Sequence, residues 1–591
     1  MRLKRTLALA IFAAAFAGCA TPQPETSVAG DYLAGRLAAR LNAVGDAASA
    51  YAEASRIAPA DAGILRDAFF FHLAAGDIDG AAPYAERIVG LGAGSGDEIE
   101  DLEAQEAEGL ARLMLSARAL KAGDLKSARA LLAAPAEAPF VRSIGFLSEA
   151  WIESELAGPE RAIAMLDSPG ADVFNGFNPL HRALLAEKAG RLDEARAAYQ
   201  TAIFSLGGPV GRAAYGAFLE RHGDEADARA YYDVLARDPG PSRRAAEAAN
   251  ERLDRGRPSP AFSKMTATKG AAIAYYSFAG AMIEQAADQR ARAEQAGYVI
   301  GEPRFNLPLS LARVALYLDP DLEDARRLVG VILAIYGDHD GASKVLSEIP
   351  PSSPHYEQSR IEMASGLVVR KRADEAIALL KDAIRRDRNG VELRWTLANV
   401  YASEGQHEQA VKTLDGVLDR QRDEPLPDAW RYYVTRGGSL LELGRWPEAE
   451  KDLKRAVELA PEQATALNYL GYSWAERGVN LDEAFALIEK AVALEPQSGA
   501  IIDSLGWAHY QRGDYKEAVG HLEKAASLEP EDATITDHLG DVYWRLGRRV
   551  EARYQWKRAL ELEPSEKLKS ALEEKLEDGL KDDNKDVKEA A

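Results

Sequence analysis

The sequence predicts an all-α protein, a solenoid of stacked helical hairpins forming one elongated right-handed superhelix. Three observations lead there. Between Trp430 and Glu566 the same residue types return at a fixed interval: Gly506 and Gly540, Gly513 and Gly547, Ala518 and Ala552, Leu522 and Trp556, Ala525 and Ala559, Pro530 and Pro564 are each 34 residues apart. Each recurring residue has a role in a helix-turn-helix unit. The composition, 47% hydrophobic and 28% charged, supplies enough apolar material for a helical core.

The roles follow from packing. Gly506 and Ala518 are placed where the two helices of one unit cross, since only small side chains let helix axes approach closely. Gly513 ends the first helix because glycine takes a positive φ without strain. Pro530 cannot continue the second helix and starts the turn into the next unit. Ala525 and Ala559 receive the following helix. This period and pattern resemble the tetratricopeptide repeat, and the resemblance implies about 13 or 14 stacked units.

At the start of the chain, Arg2, Lys4 and Arg5 precede an apolar run from Leu7 to Ala17, too short to span a bilayer. The run ends in Phe16-Ala17-Gly18-Cys19, which resembles the lipobox of bacterial lipoproteins. That resemblance implies a signal peptide over 1–18, acylation at Cys19 and a lipidated tether over 19–27. Several acyl chains give stable membrane attachment. Ala20, where inner-membrane retention usually shows aspartate, implies sorting to the outer membrane with the body facing the periplasm. Cys19 is the single cysteine, so an internal disulfide and any cysteine-based zinc or redox site are excluded.

Residues 28–242 read as a divergent repeat array. Gly76, Ala81, Ala85 and Ile88 mark one unit, Gly190, Ala195, Tyr199 and Ala202 another, and Gly92 to Asp101 interrupts the register. Residues 243–322 are expected to be the internal boundary: a linker containing Gly256-Arg257-Pro258-Ser259-Pro260, then a distorted repeat with an insertion at 299–308. Residues 323–566 form the regular array, with units starting at 323, 357, 391, 430, 464, 499 and 533 and an insertion from Pro425 to Ala429. A capping helix is expected over 567–580, and a charged disordered tail over 581–591.

Nothing in the sequence points to catalysis. The nine histidines are scattered, none in a His-Glu-x-x-His helix, and no phosphate loop, dinucleotide fingerprint or Gly-x-Ser-x-Gly elbow is present. No enzyme activity, cofactor or metal is expected, and His509 and His538, on adjacent units, need not converge. The net charge of −21 argues against nucleic acid, which demands a basic face.

In tetratricopeptide arrays, positions 2, 5, 9, 12 and 13 of the first helix line the inner groove. Carried onto the last three units, they give Asn468, Tyr472 and Glu476; Asp503, Trp507, Tyr510 and Gln511; and Asp537, Asp541, Trp544 and Arg545. Aromatics beside carboxylates suit a protein-binding groove. They suit still better a tight curvature in which Trp507 and Trp544 pack on neighbouring helices. Asp503, Asp537 and Asp541 stand where the carboxylate clamp of chaperone-binding arrays needs lysine and asparagine, which opposes capture of an acidic C-terminus.

The lipobox, the repeat-only body, and the runs Leu-Asn-Tyr-Leu-Gly-Tyr-Ser-Trp-Ala at 467–475 and Ile-Asp-Ser-Leu-Gly-Trp at 502–507 together resemble the outer-membrane tetratricopeptide lipoproteins that serve as adaptors for periplasmic carboxyl-terminal processing proteases. The resemblance implies a scaffold binding such a protease and presenting peptidoglycan hydrolases to it, and so acting on the cell wall. The alternative is a scaffold for outer-membrane biogenesis, secretion or polysaccharide export.

Overall fold

The computed structural model describes residues 27–580, apart from 92–97, 135–137, 169–175, 205–207, 239, 296–297, 299–302, 388–389 and 420–427. Residues 1–26 with Cys19, most of Gly92 to Asp101, much of the 299–308 insertion, most of Pro425 to Ala429 and the 581–591 tail lie outside the described residues. Among those described there are thirty α-helices and no strand. Consecutive helices pack as hairpins, from Val28–Arg40 with Val44–Ile57 to Ala533–Arg545 with Arg549–Glu561.

The regular hairpins have local causes. Asp532 begins Ala533–Arg545 by accepting from the N–H groups of Thr534 and Ile535 at 2.7 and 2.9 Å, which satisfies donors that have no partner within the helix. Gly513, at φ 84°, closes Gly499–Arg512. A Cβ at Gly506 would meet Leu522 Cγ at 2.7 Å and one at Gly540 would meet Trp556 Cδ1 at 2.5 Å, so both glycines are required by close helix crossing. Ala518, Ala525, Ala552 and Ala559 are fully buried at the matching positions.

The chain divides into two compact units, 1–371 and 372–591. The segment 243–322, expected to be the boundary, lies inside the first. It is retained there by packing onto repeats much earlier in the chain. Gly270 of the helix Ala267–Gln295 presses on Trp151, where a Cβ would come within 2.0 Å of the indole. Tyr275 Oη donates to the Leu113 carbonyl at 2.8 Å, and Phe278 stacks on Phe177 at 3.8 Å. The next helix, Asn306–Leu318, packs on Ala62–Ala75 and Glu98–Lys121, and Lys121 Nζ donates to the Leu318 carbonyl at 3.1 Å.

The Pro-containing stretch 256–266 is held by its main chain. Ser259 N–H donates to Glu220 at 2.8 Å, Arg221 donates to the Ser259 and Ala261 carbonyls at 3.0 and 2.6 Å, Lys188 donates to the Met265 carbonyl at 3.0 Å, and Ala267 N–H donates to Glu155 at 2.6 Å. These gripping side chains stand in the last turns of Pro139–Leu156, Asn178–Lys188 and Gly208–His222. A loop without helical bonds of its own thus has its backbone groups satisfied by charged side chains. The grip is itself paired: Glu220, with no side-chain exposure, binds Arg252 at 2.6 Å, and Arg221 binds Glu187 at 2.6 Å. Nearby, Trp151 Nε1 donates to His181 Nδ1 at 2.8 Å, and burial pushes the His181 imidazole down to about 3, so it accepts as a neutral ring.

Candidate functional site

The candidate groove residues stand on Ala464–Arg477, Gly499–Arg512 and Ala533–Arg545 of the second unit, and they fall into two groups. Around Trp507 the side chains form one stack. The Trp507 ring lies parallel to Tyr510 (4.6 Å, 6°) and to His538 (3.9 Å, 16°). His538 Nδ1 lies 2.9 Å from Asp503 Oδ2, with both side chains buried. Arg545 Nε donates to Tyr510 Oη at 3.1 Å, tying the outer end of the stack to the next repeat. Tyr472 and Gln511 are half-buried and Glu476 is exposed beside it.

Electrostatics in this group follow from burial. Burial alone would lower His538, but the Asp503 carboxylate, with Asp537 and Asp541 behind it, holds the imidazolium above its ordinary value. Burial pushes the Tyr472 phenol up, reinforced by Glu476, Asp503 and Glu442. Tyr510 rises to about 12 through burial, against the opposing Arg545 hydrogen bond. Two polar atoms are shielded from solvent yet lack a hydrogen-bond partner among the described residues: Trp507 Nε1, a donor, and Asn468 Oδ1, an acceptor.

The second group, Asp537, Asp541 and Trp544, does not line an open groove. The helix Glu566–Asp578 covers it. Lys575 Nζ reaches Asp537 at 2.7 Å and Asp541 at 2.8 Å, and Asp541 Oδ1 also accepts from Trp556 Nε1 at 2.9 Å. Trp544 is buried against Trp556 and beneath Arg549, and a Cβ at Gly579 would sit 2.1 Å from its ring. Asp537 and Asp541, two of the three carboxylates read from the sequence as repelling an anion, therefore already share one cation, Lys575. Burial, with the neighbouring Asp537, still raises Asp541 to about 6, while Lys575 is held above its ordinary value by the two carboxylates in spite of burial.

Lys575 and the His538 contacts were not legible in the repeat pattern. A pair of acids four residues apart on one helix face, Asp537 and Asp541, was the available signal that a cation had to come from elsewhere. His509 and His538 do not converge: His509 packs edge-on to Phe485 and parallel to His521, whereas His538 faces Asp503 and Trp507. Among the described residues no cluster of three or more His, Cys, Asp or Glu side chains could hold a metal ion. No helix among the described residues is long and apolar enough to cross a membrane.

Models of the tetratricopeptide repeat match residues 180–244, 368–430 and 434–499, and a TPR repeat model matches 506–547. The chain is thus a protein with several tetratricopeptide repeats, a fold that is typically a non-catalytic scaffold for protein partners. It is similar to a TPR repeat-containing protein of Pseudomonas aeruginosa, 31% identical over 148 residues that make up 25% of this chain and 24% of the relative. It is also similar to protein O-mannosyl-transferase TMTC1 of Homo sapiens, 23% identical over 35% of this chain and 22% of that one. The chain spans less than a quarter of the length of these curated relatives. Among solved structures, a tetratricopeptide repeat protein from Parabacteroides merdae matches 42% of this chain and 94% of its own at 16% identity and a TM-score of 0.36. The APC/C Cut9–Hcn1 hetero-tetramer matches 87% and 96% at 17% identity and a TM-score of 0.37.

Proposed function

We propose that this chain is a non-catalytic scaffold, anchored through a lipid on Cys19 to the outer membrane and facing the periplasm, and that the face of the second unit around Trp507 holds its protein partner. The observation that carries the site is the stack of Trp507 on Tyr510 and His538, in whose repeats two polar atoms, Trp507 Nε1 and Asn468 Oδ1, have no hydrogen-bond partner among the described residues. A peptide main chain offers the complementary carbonyl and N–H, and aromatic side chains give contact area at little cost in entropy. Tyr472, Glu476, Gln511 and Arg545 border this surface, whereas Asp503 serves it by orienting His538.

The resemblance of the chain to adaptor lipoproteins makes a carboxyl-terminal processing protease and peptidoglycan hydrolases the partners to test. Holding two proteins on one solenoid raises their effective concentration without any chemistry by the scaffold. Capture from membranes by the intact chain should recover a protease of that class together with wall hydrolases. Recovery of export or secretion components alone would overturn the adaptor reading. Trp507→Phe, which removes the N–H and keeps a ring, should weaken capture by about tenfold while leaving the unfolding free energy within about 1 kcal/mol. Capture unchanged in that variant would remove the face from consideration. Cys19→Ser should abolish fractionation with the outer membrane, and unchanged fractionation would refute the anchor.

A further inference from the structure

The first unit contains a cavity of about 610 Å³ that neither the repeat pattern nor the scaffold reading uses. One wall is the held stretch 259–265 with Ile273. The opposite walls come from Gly208–His222, Pro241–Asp254, the turn at 319–322 with the start of Glu323–Ile335, and the turn at 352–355. Ala213, Leu235, Phe262, Met265, Ile273 and Leu322 make much of the lining apolar. Volume and lining fall in the range of sites for small molecules or short chain ends, about 300–1,000 Å³ with a few polar groups fixing orientation.

The charges around it are unequally spent. Glu323 accepts the Ser353 hydroxyl, Asp324 pairs with His355 at 3.2 Å, and Arg252 is taken by Glu220. Asp319 accepts the N–H of Asp321, which lies at the exposed rim. Arg212, Lys264 and Lys269 line the cavity with no ion-pair partner among the described residues. The carboxylates of Asp319 and Asp321 likewise have no ion-pair partner among the described residues, and Arg212, Lys264 and Lys269 are available to an anion entering the cavity.

The wall is also conformationally committed. Phe262 has φ 60°, a left-handed conformation that a bulky side chain adopts only when its surroundings impose it. They do so here: Arg221 takes the carbonyls on either side of Pro260, at Ser259 and Ala261, and Lys188 takes that of Met265, so Phe262 is fixed between clamped neighbours. A rigid, strained aromatic on an apolar cavity is a preorganised surface, and preorganisation lowers the cost of binding.

We propose that this cavity binds a carboxylate carried on an apolar chain, the chain lying against Phe262, Met265 and Leu235 and the anion facing Arg212, Lys264 and Lys269. A fatty-acid anion and the free C-terminus of an apolar peptide share this chemistry.

The test is calorimetric titration of the full chain with decanoate, 1-decanol, and the peptide Ala-Val-Val-Leu with free and amidated C-termini. At least one carboxylate should bind saturably, and its neutral counterpart should bind about tenfold or more weakly, the cost of losing charge-assisted hydrogen bonds. Decanoate alone binding identifies an aliphatic acid as the ligand, and the free peptide alone identifies a chain terminus. Lys264→Ala, on an exposed turn, with Lys269→Ala, in the first turn of Ala267–Gln295, should weaken binding by about tenfold. Ala213→Phe, which fills the cavity without altering charge, should abolish it. Circular dichroism and the unfolding midpoint establish that each variant folds. No saturable binding of either carboxylate, equal binding of the neutral forms, or affinity unchanged in both variants would overturn the proposal.

Discussion

The two units of this chain share the small-residue helix crossing, Gly330 against Leu346 in the first as Gly506 against Leu522 in the second, and differ in what is added to it. In the second unit the hairpins close on small residues and apolar rings, as at Gly506 against Leu522 and Gly540 against Trp556, and its buried ion pairs, Arg436 with Asp452, His538 with Asp503 and Lys575 with Asp537, join helices close together in the chain. In the first unit the hairpins diverge, and a segment distant in sequence is bound to their ends through Glu155, Lys188, Glu220 and Arg221 acting on main-chain groups. The difference teaches that a regular array is stabilised by contacts between nearest neighbours, which a 34-residue period reports, whereas an irregular one depends on long-range polar contacts that no period reports.

The first unit depends most heavily on Glu220. Glu220→Ala leaves Arg252, Tyr232 and the Ser259 N–H without their acceptor and should destabilise the first unit by about 3–5 kcal/mol. Hydrogen exchange read separately over 1–371 and 372–591 should show the loss in the first only. Simultaneous loss of protection in both would mean that they are not independently stabilised.

A smaller effect is expected at Gly506. Gly506→Val pushes into Leu522 Cγ and the Ala518 carbonyl and should cost the second unit about 1–3 kcal/mol in urea unfolding, with the first unchanged. Lys575→Met tests the ionic exception at the end of the regular array. It leaves Asp537 and Asp541 buried together, so exchange protection should fall over 533–578, and acid should restore part of it because protonating one carboxylate relieves the repulsion.

The smallest effect is a pH slope. Because His538 is raised in the folded state, its contribution is fully present below the ordinary histidine value of about 6.5 and is lost as pH rises through the raised one. Asp541, raised to about 6 from an ordinary value near 3.8, acts with the same sign in the lower window between those two values. Stability of the second unit should therefore decline as pH increases above about 6.5, and His538→Phe, which retains the stack on Trp507, should flatten that part of the profile. An unchanged slope would detach the Asp503–His538 pair from the stability of the second unit.

How far the sequence reached is best seen residue by residue. Gly506, Gly513, Ala518 and Ala525 were placed correctly from spacing alone because their roles are local: a crossing, a helix end, a buried small side chain. Trp544 and Trp507 occupy equivalent faces of adjacent helices and could not be told apart by register. One is covered by Glu566–Asp578, whose Lys575 comes from outside the repeat, and the other is half-buried in a stack with Tyr510 and His538. The expected boundary at 243–322 failed for a related reason. Gly and Pro at 256–260 do prevent helix, but what holds that stretch is Glu220 and Arg221, some forty residues earlier.

By itself the sequence determined the repeated hairpin, its period and the small residues at each crossing, since these depend on helix geometry and on neighbours at fixed separation. Tertiary structure alone decided which faces stay open. It put Ala267–Gln295 against Trp151, closed the acidic end with Lys575, stacked His538 on Trp507 and left three cations unpaired around Phe262. Those outcomes depend on residues brought together from distant parts of the chain, and burial and unpaired charge exist only once they have met.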